Sequence, residues 1–271
     1  MKKVVLITGA SSGIGKATAE KLLNNGYAVY ATARRLEMME DLRKKGAKTL
    51  AMDVTSDEAV TATVDRIIKE TGRLDVLVNN AGYGIAGMVE SVSMEEAHKQ
   101  FEVNVFGVAR LMKAVFPQMR KQKSGRIINV SSIAGKVSSP MLGWYSSSKF
   151  AVEALTDAMR AEVKDLGIQL VLIQPNGVKT NFADVALKQL DNVKHPDDYK
   201  TKIEGFKKAF PKQFTNAPQP DKIADIIIKA IENSNPKARY AVASAKMGIV
   251  MGSIIPDKLM DNMKLLMLGM K

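Results

Sequence analysis

The stretch VVLITGASSGIG, residues 4–15, decides the fold of this chain. A β-branched apolar run from Lys3 to Thr8 predicts a strand, and a helical pattern runs from Gly13 to Asn25, where Gly26 ends it. Glycines between a strand and a helix let a phosphate approach the backbone, and the helix N-terminus adds free N–H groups and a positive dipole end. The stretch therefore predicts an α/β fold whose first turn binds the pyrophosphate of a dinucleotide.

The predicted phosphate-binding residues occupy this turn, where two serines add hydroxyl donors. They are Thr8, Gly9, Ser11, Ser12, Gly13, Ile14 and Gly15. A plain glycine turn is the alternative interpretation, which the position between strand and helix disfavours.

Strand and helix patterns alternate along the rest of the chain. The further predicted strands are Ala28 to Thr32, Lys48 to Met52, Val76 to Asn79, Arg126 to Ser131, Ile168 to Gln174 and Tyr240 to Ala243. The further predicted helices are Leu36 to Lys45, Ser56 to Glu70, Glu95 to Gln122, Tyr145 to Asp165 and Pro220 to Asn233. This order predicts one α/β domain over residues 1–271, with a doubly wound parallel sheet of about seven strands and helices on both faces.

Two segments leave the alternation. Residues 181–219 interrupt the last crossover with polar sequence and two short helical patterns, and residues 246–271 form an apolar, methionine-rich tail. The tail has three competing uses: it covers a substrate mouth, pairs subunits, or lies on a membrane surface. A lid or a subunit contact is favoured over membrane contact.

Composition narrows the classes of protein. The 271 residues are 46% hydrophobic and 25% charged and include no cysteine, which excludes a disordered chain, disulfides, thiolate nucleophiles and thiolate metal sites. We expect no metal site. The net charge of +12 is spread along the chain, so we expect no nucleic-acid partner. Without a secretory signal or a long uninterrupted apolar run, a cytoplasmic location is expected.

The end of the second strand indicates which dinucleotide binds. Ala33 stands where NAD-specific proteins place a carboxylate, and Arg34 and Arg35 follow it. Guanidinium groups suit the 2′-phosphate of NADP, so we expect NADP(H); a basic helix start is the alternative.

The ends of the next two strands contribute further predicted cofactor contacts, although each is also an ordinary polar turn. These are Asp53, Val54, Asn80, Ala81 and Gly82.

The candidate catalytic residues lie farther along the chain. Tyr145 and Lys149 are four apart at a predicted helix start, so they share one face, where an ammonium group and an oxidised nicotinamide would lower the tyrosine pKa. Ser132 ends the preceding strand and offers a donor to a carbonyl oxygen, with Ser131 as its competitor. Asn104 is expected either to bind a water that relays protons to Lys149 or to be a buried helix amide.

Together these motifs resemble the classical short-chain dehydrogenase/reductases over essentially the whole chain. The resemblance implies a Rossmann-type fold and direct hydride transfer. It also implies Tyr145 as acid/base, Ser132 as ligand of the substrate oxygen, Lys149 as ribose ligand and pKa modifier, and Asn104 as proton-relay anchor. Family members often have Pro-Gly after the sixth strand, and Asn176 intervenes here. The residues implied near the nicotinamide are Pro175, Gly177, Val178 and Thr180. A homodimer or homotetramer is also implied.

Apolar residues indicate the substrate. They are Phe182, Leu187, Leu190, Tyr199, Phe206, Phe210 and Phe214 in the insertion, and Val137, Met141, Leu142 and Trp144 before the catalytic helix. They suggest a lipophilic ligand, resembling family members that act on steroids, retinoids or acyl-linked ketones, although packing among themselves is the alternative. The main hypothesis is an NADPH-dependent carbonyl reductase. The rivals are a membrane-surface reductase of lipid intermediates and a non-catalytic dinucleotide-binding regulator.

Overall fold

The protein has a single parallel sheet with helices on both faces. The computed structural model describes residues 2–270, except for the side chains of Ala243 and Ser244. The strands have the order β3-β2-β1-β4-β5-β6-β7, and every pairing is parallel. They are β1 (Val4–Thr8), β2 (Ala28–Ala33), β3 (Lys48–Ala51), β4 (Val76–Asn79), β5 (Gly125–Val130), β6 (Ile168–Gln174) and β7 (Arg239–Ala241). The predicted Rossmann-type, doubly wound sheet is confirmed.

Eleven α-helices lie within residues 2–270. They are α1 (Gly13–Asn24), α2 (Glu40–Lys44), α3 (Asp57–Thr71), α4 (Met94–Phe101), α5 (Gly107–Gln122), α6 (Gly143–Glu162), α7 (Phe182–Asn192), α8 (Lys200–Ala209), α9 (Pro220–Glu232), α10 (Ala243–Ile254) and α11 (Asp257–Met267). The predicted helix from Leu36 to Lys45 is a 3₁₀ turn, Leu36–Met39, followed by the short α2. The predicted helix from Glu95 to Gln122 is divided by a π-helical segment, Glu102–Phe106.

The core has one layer on each side of the sheet. Leu6 packs into a cluster with residues of α3, α5 and α6, whereas Ile7, the next residue of β1, packs into a cluster with residues of α1 and α9. Successive side chains of a strand point to opposite faces, so a strand covered on both sides is apolar throughout. This explains why the strands read as apolar runs in the sequence.

A chain of buried polar side chains ties the helix α6 to the sheet. Asn79 donates from its Nδ2 to Oδ1 of Asn129 at 2.9 Å, and Nδ2 of Asn129 donates to the Thr156 hydroxyl at 2.8 Å. Each of these side chains is almost fully buried. A buried polar group is costly unless it has a hydrogen-bond partner, so this chain favours one position of α6 on β4 and β5.

The predicted tail, 246–271, packs on the rest of the molecule near both ends of its described part, which ends at residue 270. A Cβ atom at Gly248 would lie 2.6 Å from Ile133, and one at Gly252 would lie 2.7 Å from Val137, so these glycines let α10 lie directly on the loop after β5. Leu268 and Met270 are buried in a third apolar cluster with residues of α7 and α8. Within residues 2–270, no helix is long and apolar enough to cross a membrane.

Candidate active site

A continuous cavity of about 1200 Å³ runs from the glycine-rich turn to the tail helices, past the carboxyl ends of the strands. Most of the predicted site residues line it. They are Gly9, Ser11, Ser12, Gly13, Ile14, Arg34, Arg35, Asp53, Val54, Asn80, Ala81, Gly82, Ser132, Tyr145, Lys149, Pro175, Gly177, Val178 and Thr180. The structure places Thr8, Gly15 and Asn104 behind this lining.

The glycine-rich turn forms a cradle that side chains would fill. Gly9 and Gly13 have φ angles of +65° and +55°, which favour glycine. The first turn of α1 contains no acidic residue, and the Ser12 side chain makes no capping hydrogen bond there. The free N–H groups and the positive end of the helix dipole therefore face the cavity without a protein anion. These features fit the pyrophosphate of a dinucleotide.

Thr8 and Gly15 support this turn from behind. The Thr8 hydroxyl accepts hydrogen bonds from the backbone N–H groups of Asn80 and Ala81, each at 3.0 Å. A Cβ atom at Gly15 would lie 2.4 Å from Nδ2 of Asn80 and 2.4 Å from the carbonyl oxygen of Gly9. Both residues thus hold the turn against the loop after β4.

Arg34 and Arg35 lie at the end of β2 on the cavity wall. Within residues 2–270, neither guanidinium group forms an ion pair with a carboxylate. Asp53, at the end of β3, accepts hydrogen bonds at Oδ1 from the backbone and the hydroxyl of Thr55, at 2.9 and 2.8 Å. The cationic pair is therefore available to an anionic ligand, whereas Asp53 already caps a turn.

The structure brings Ser132, Tyr145 and Lys149 together at the middle of the cavity. Ser132 begins the turn after β5, and its side chain accepts a hydrogen bond from the N–H of Ala134 at 3.1 Å. Tyr145 and Lys149 lie on one face of α6, with Nζ of Lys149 5.8 Å from the centre of the Tyr145 ring. The ammonium group donates to the carbonyl oxygen of Val130 at 2.9 Å, which anchors it to the end of β5.

Burial controls the ionisation of these side chains. It raises the pKa of Tyr145 to about 12, and a hydrogen bond from Ser132 offsets only part of that rise. Among the protein's own groups, loss of solvation therefore dominates the tyrosine pKa, and its lowering by the ammonium group together with an oxidised nicotinamide stays a prediction. Burial also lowers the pKa of Lys149 to about 8, although the negative charge of Glu153 opposes this change.

Asn104 lies in the π-helical segment and is fully buried. Its Nδ2 donates to the carbonyl oxygen of Tyr83 at 2.9 Å and to the Ser148 hydroxyl at 3.1 Å, and its Oδ1 accepts from the N–H of Tyr83 at 3.1 Å. Both amide protons therefore have acceptors, while Oδ1 retains a lone pair. Asn104 is a buried helix amide, and its role in a proton relay stays a prediction.

The part of the cavity that the insertion and the tail line is largely apolar. From the insertion, Phe182, Phe210 and Phe214 line it, and the ring of Phe182 lies 5.1 Å from that of Tyr145 between centres. Val137 and Leu142 also line it, as the sequence suggests. The other suggested residues do not: Leu187, Leu190, Tyr199, Phe206, Met141 and Trp144. Most of these pack in the third apolar cluster, and the Trp144 indole donates to the carbonyl oxygen of Val89 at 3.4 Å.

Several cavity residues were missed by the sequence reasoning. The tail contributes five methionines and one cation, and the insertion contributes three amides. They are Met247, Met251, Met260, Met263, Met267, Lys264, Asn181, Gln189 and Gln213. Spacings of three and four residues place Met260, Met263, Lys264 and Met267 on one face of a helix. That spacing is the signal that could have found them.

Comparison with known proteins agrees with this architecture. The family model described as "short chain dehydrogenase" matches residues 3–191. The "3-ketodihydrosphingosine reductase" of Bacteroides thetaiotaomicron is 41% identical, and the match covers 89% of this chain and 87% of that protein. The "NADPH-dependent 3-dehydrocapnine reductase" of Ornithobacterium rhinotracheale is 36% identical, with coverage of 96% and 95%. The chain belongs to the short-chain dehydrogenase family, as the resemblance in its motifs indicated.

Solved structures of this family share the fold. A short-chain dehydrogenase from Streptomyces avermitilis superposes with a TM-score of 0.82 at 32% identity, covering 98% of this chain and 95% of that chain. A family member from Burkholderia phymatum, in complex with NAD, has a TM-score of 0.79 at 27% identity, with coverage of 92% of each chain. A metagenomic member, in complex with NADP, has 0.71 at 27% identity, covering 89% of this chain and 96% of that chain. The protein is therefore an oxidoreductase of a family that binds nicotinamide dinucleotides, and its relatives include both NAD and NADP complexes.

The lowered pKa of Lys149 predicts a pH-dependent stability. Between pH 8 and its ordinary pKa of 10.5, this lysine binds fewer protons in the folded than in the unfolded protein, so stability rises with pH. Relative to Lys149→Met, the wild type should gain about 2 kcal/mol in the free energy of unfolding between roughly pH 7.5 and 9.5. Urea unfolding at the two pH values measures this gain. Lys69→Met, on the exposed face of α3, is the control and should follow the wild type; an equal pH dependence of the Lys149→Met variant would contradict the prediction.

Proposed function

We propose that this protein is an NADPH-dependent reductase that interconverts a ketone and a secondary alcohol on a long, lipophilic substrate. One observation carries the proposal: a single cavity joins the phosphate-binding turn, the two arginines, the Ser132-Tyr145-Lys149 cluster and a large apolar half. A cavity that holds a dinucleotide and an apolar molecule side by side suits hydride transfer between them.

The choice of NADP(H) rests on Arg34 and Arg35. Two guanidinium groups without a carboxylate partner within residues 2–270 would otherwise repel each other at the cavity wall, and a 2′-phosphate is the anion that forked donors fit. A relative is named as NADPH-dependent, which supports this choice. The NAD complex of another relative makes a direct test necessary.

The ionisation of the catalytic residues favours reduction. NADPH, when bound, supplies the hydride that reaches the carbonyl carbon. Tyr145, with a pKa of about 12, keeps its proton at neutral pH and can deliver it to the substrate oxygen. Ser132 donates a hydrogen bond to the same oxygen, and Lys149, held by Val130, stabilises the tyrosinate that remains.

The apolar half of the cavity supports a long aliphatic ketone as substrate. Methionine side chains are flexible and polarisable, and they adapt to chains of varied shape. Five methionines of the tail and three phenylalanines of the insertion line this half. Two relatives are named as reductases, of 3-ketodihydrosphingosine and of 3-dehydrocapnine, and their names support the reductive direction.

We also propose that the protein is cytoplasmic and forms a homodimer or homotetramer. The absence of cysteine suits the reducing cytoplasm. Phe106 and Phe150 are 53% and 43% exposed, and they lie on helical segments that pack against each other. Large exposed aromatic side chains on adjacent segments support a subunit contact, and hence the homodimer or homotetramer.

A second candidate is reduction of a lipid intermediate at a membrane surface. The observation that favours it is the outer face of α10, where Ile254 is 73% exposed and Val250 is 53% exposed. Both lie beside the helix face that lines the cavity, so a bilayer could deliver a lipid to its mouth.

Liposome co-sedimentation tests this second candidate. Wild-type protein should pellet with vesicles of phosphatidylcholine and phosphatidylglycerol, and Ile254→Glu should stay in the supernatant because a carboxylate opposes burial in lipid. The control is Leu166→Glu, at the opposite end of the sheet and 40% exposed in the wild type. If the protein does not pellet, or if both variants pellet equally, the second candidate is wrong.

Fluorescence titration with NADPH and NADH tests the cofactor assignment. The wild type should bind NADPH at least about tenfold more tightly than NADH, since hydrogen bonds to a charged group contribute roughly 1.5–3 kcal/mol. Arg34→Ala, Arg35→Ala or both should lose this preference and keep the affinity for NADH. Lys44→Ala, an exposed cation at the end of α2, is the control. Equal affinities of the wild type for the two dinucleotides would contradict the assignment.

A further inference from the structure

Lys264 is the one charged side chain in the part of the cavity lining that residues 181–219 and 246–270 contribute. Its neighbours on that wall are apolar or neutral. Met260, Met263 and Met267 lie with it on the face of α11 that lines the cavity, and the polar lining side chains of the insertion are the amides of Asn181, Gln189 and Gln213. An ammonium group thus lies among methionines on the part of the cavity wall that the tail contributes.

The charge of Lys264 is poorly compensated by the protein. Its side chain is 19% exposed, and its nearest carboxylate, Asp261, lies 3.9 Å away on the same helix and is 70% exposed. That distance exceeds a hydrogen bond. Partial burial of an ammonium group against apolar surface costs free energy unless an anion or several acceptors surround it. Within the described residues, Lys264 has this one exposed carboxylate and no hydrogen-bond acceptor.

Other lysines of the chain are better matched. Lys149, which is more deeply buried, donates to the carbonyl oxygen of Val130 at 2.9 Å. Several more exposed lysines form shorter ion pairs than Lys264 does, for example Lys45 with Glu20 at 2.7 Å. The ammonium group of Lys264 therefore lacks a close counter-charge at a position on the cavity wall, where a ligand can reach it.

We propose that Lys264 binds an anionic group, a carboxylate or a phosphate, carried by the lipophilic ligand of this cavity. Lys264 pairs with the anionic end of this ligand, and the apolar lining contacts the rest of it. The ligand is therefore an amphiphile with one anionic end. The phosphates of a dinucleotide instead have the glycine-rich turn and the two arginines as their binding groups. The inference rests on the proposed function for the reacting ketone, but the binding of an anionic amphiphile can be measured without any reaction.

Isothermal titration with non-reducible ligands provides the test. Dodecanoate, dodecyl phosphate, dodecanol and dodecylammonium share one chain and differ in their headgroups. The wild type should bind at least one of the two anions at least about tenfold more tightly than dodecanol. The Lys264→Met variant should bind the anions only as tightly as dodecanol. The comparison of carboxylate with phosphate identifies the preferred anion. Lys264→Glu should reverse the preference towards dodecylammonium.

Lys258→Met is the matched control, because Lys258 lies on the exposed face of the same helix. It removes the same charge from a protein of net charge +12 and should bind like the wild type. Lys264→Gln serves as a second variant should Lys264→Met unfold, as judged by circular dichroism. The inference is overturned if the wild type binds dodecanol as tightly as the anions, or if Lys258→Met loses as much affinity as Lys264→Met.

The outcomes separate this inference from the proposed function. Reduction of long-chain ketones by NADPH without any preference for anionic ligands would overturn the role of Lys264 and leave the reductase intact. Preference for anionic ligands without reduction of any ketone would support the role of Lys264 and contradict the reductase.

Discussion

The close contact of Gly9, Gly15 and Asn80 is the constraint on which the site depends. Nδ2 of Asn80 donates to the carbonyl oxygens of Thr8 and Gly9 at 3.0 and 3.2 Å, and it would lie 2.4 Å from a Cβ atom at residue 15. One side-chain amide thus ties the turn after β1 to the loop after β4. Because the carboxyl ends of parallel strands meet at one edge, this tie holds the glycine-rich turn beside the part of the cavity where Tyr145 and Lys149 lie.

Burial then sets the ionisation of Tyr145 and Lys149, the proposed catalytic residues. The chain from Asn79 through Asn129 to Thr156 positions α6, which brings Tyr145 and Lys149 into a largely buried region. Loss of solvation disfavours the tyrosinate and the ammonium alike, so the pKa of Tyr145 rises to about 12 and the pKa of Lys149 falls to about 8. A tyrosine that keeps its proton at neutral pH suits the reductive direction that we propose.

Local patterns in the sequence predicted most of the fold and much of the site. All seven predicted strands are present within two residues of their predicted ends, because buried parallel strands read as short apolar runs between turn signals. The glycine-rich turn, Arg34 and Ser132 line one cavity, because the carboxyl ends of parallel strands lie at one edge of the sheet. The roles of individual residues depended on contacts between distant parts of the chain. Spacing within the turn could not show that Gly15 packs against Asn80.

The position of the tail and the pKa values could not be predicted from the sequence, because they too depend on contacts between distant parts of the chain. Three uses of the methionine-rich tail were open, and only its packing through Gly248 and Gly252 on the loop after β5 places it over the cavity. Lys264 reads as an interruption of an apolar run until α11 is docked with that lysine inward. The pKa of Tyr145 is set by burial, which a spacing of four residues from Lys149 does not show.

Transfer of deuterium from NADPH labelled at the nicotinamide C4 tests the central claim, that one cavity holds a nicotinamide dinucleotide against a lipophilic ketone. The label should appear on the carbinol carbon of a long-chain alcohol product, as measured by mass spectrometry, and Tyr145→Phe should abolish the transfer while still binding NADPH. Failure to transfer label to any long-chain ketone, although the wild type binds both NADPH and the ketone, would contradict the account.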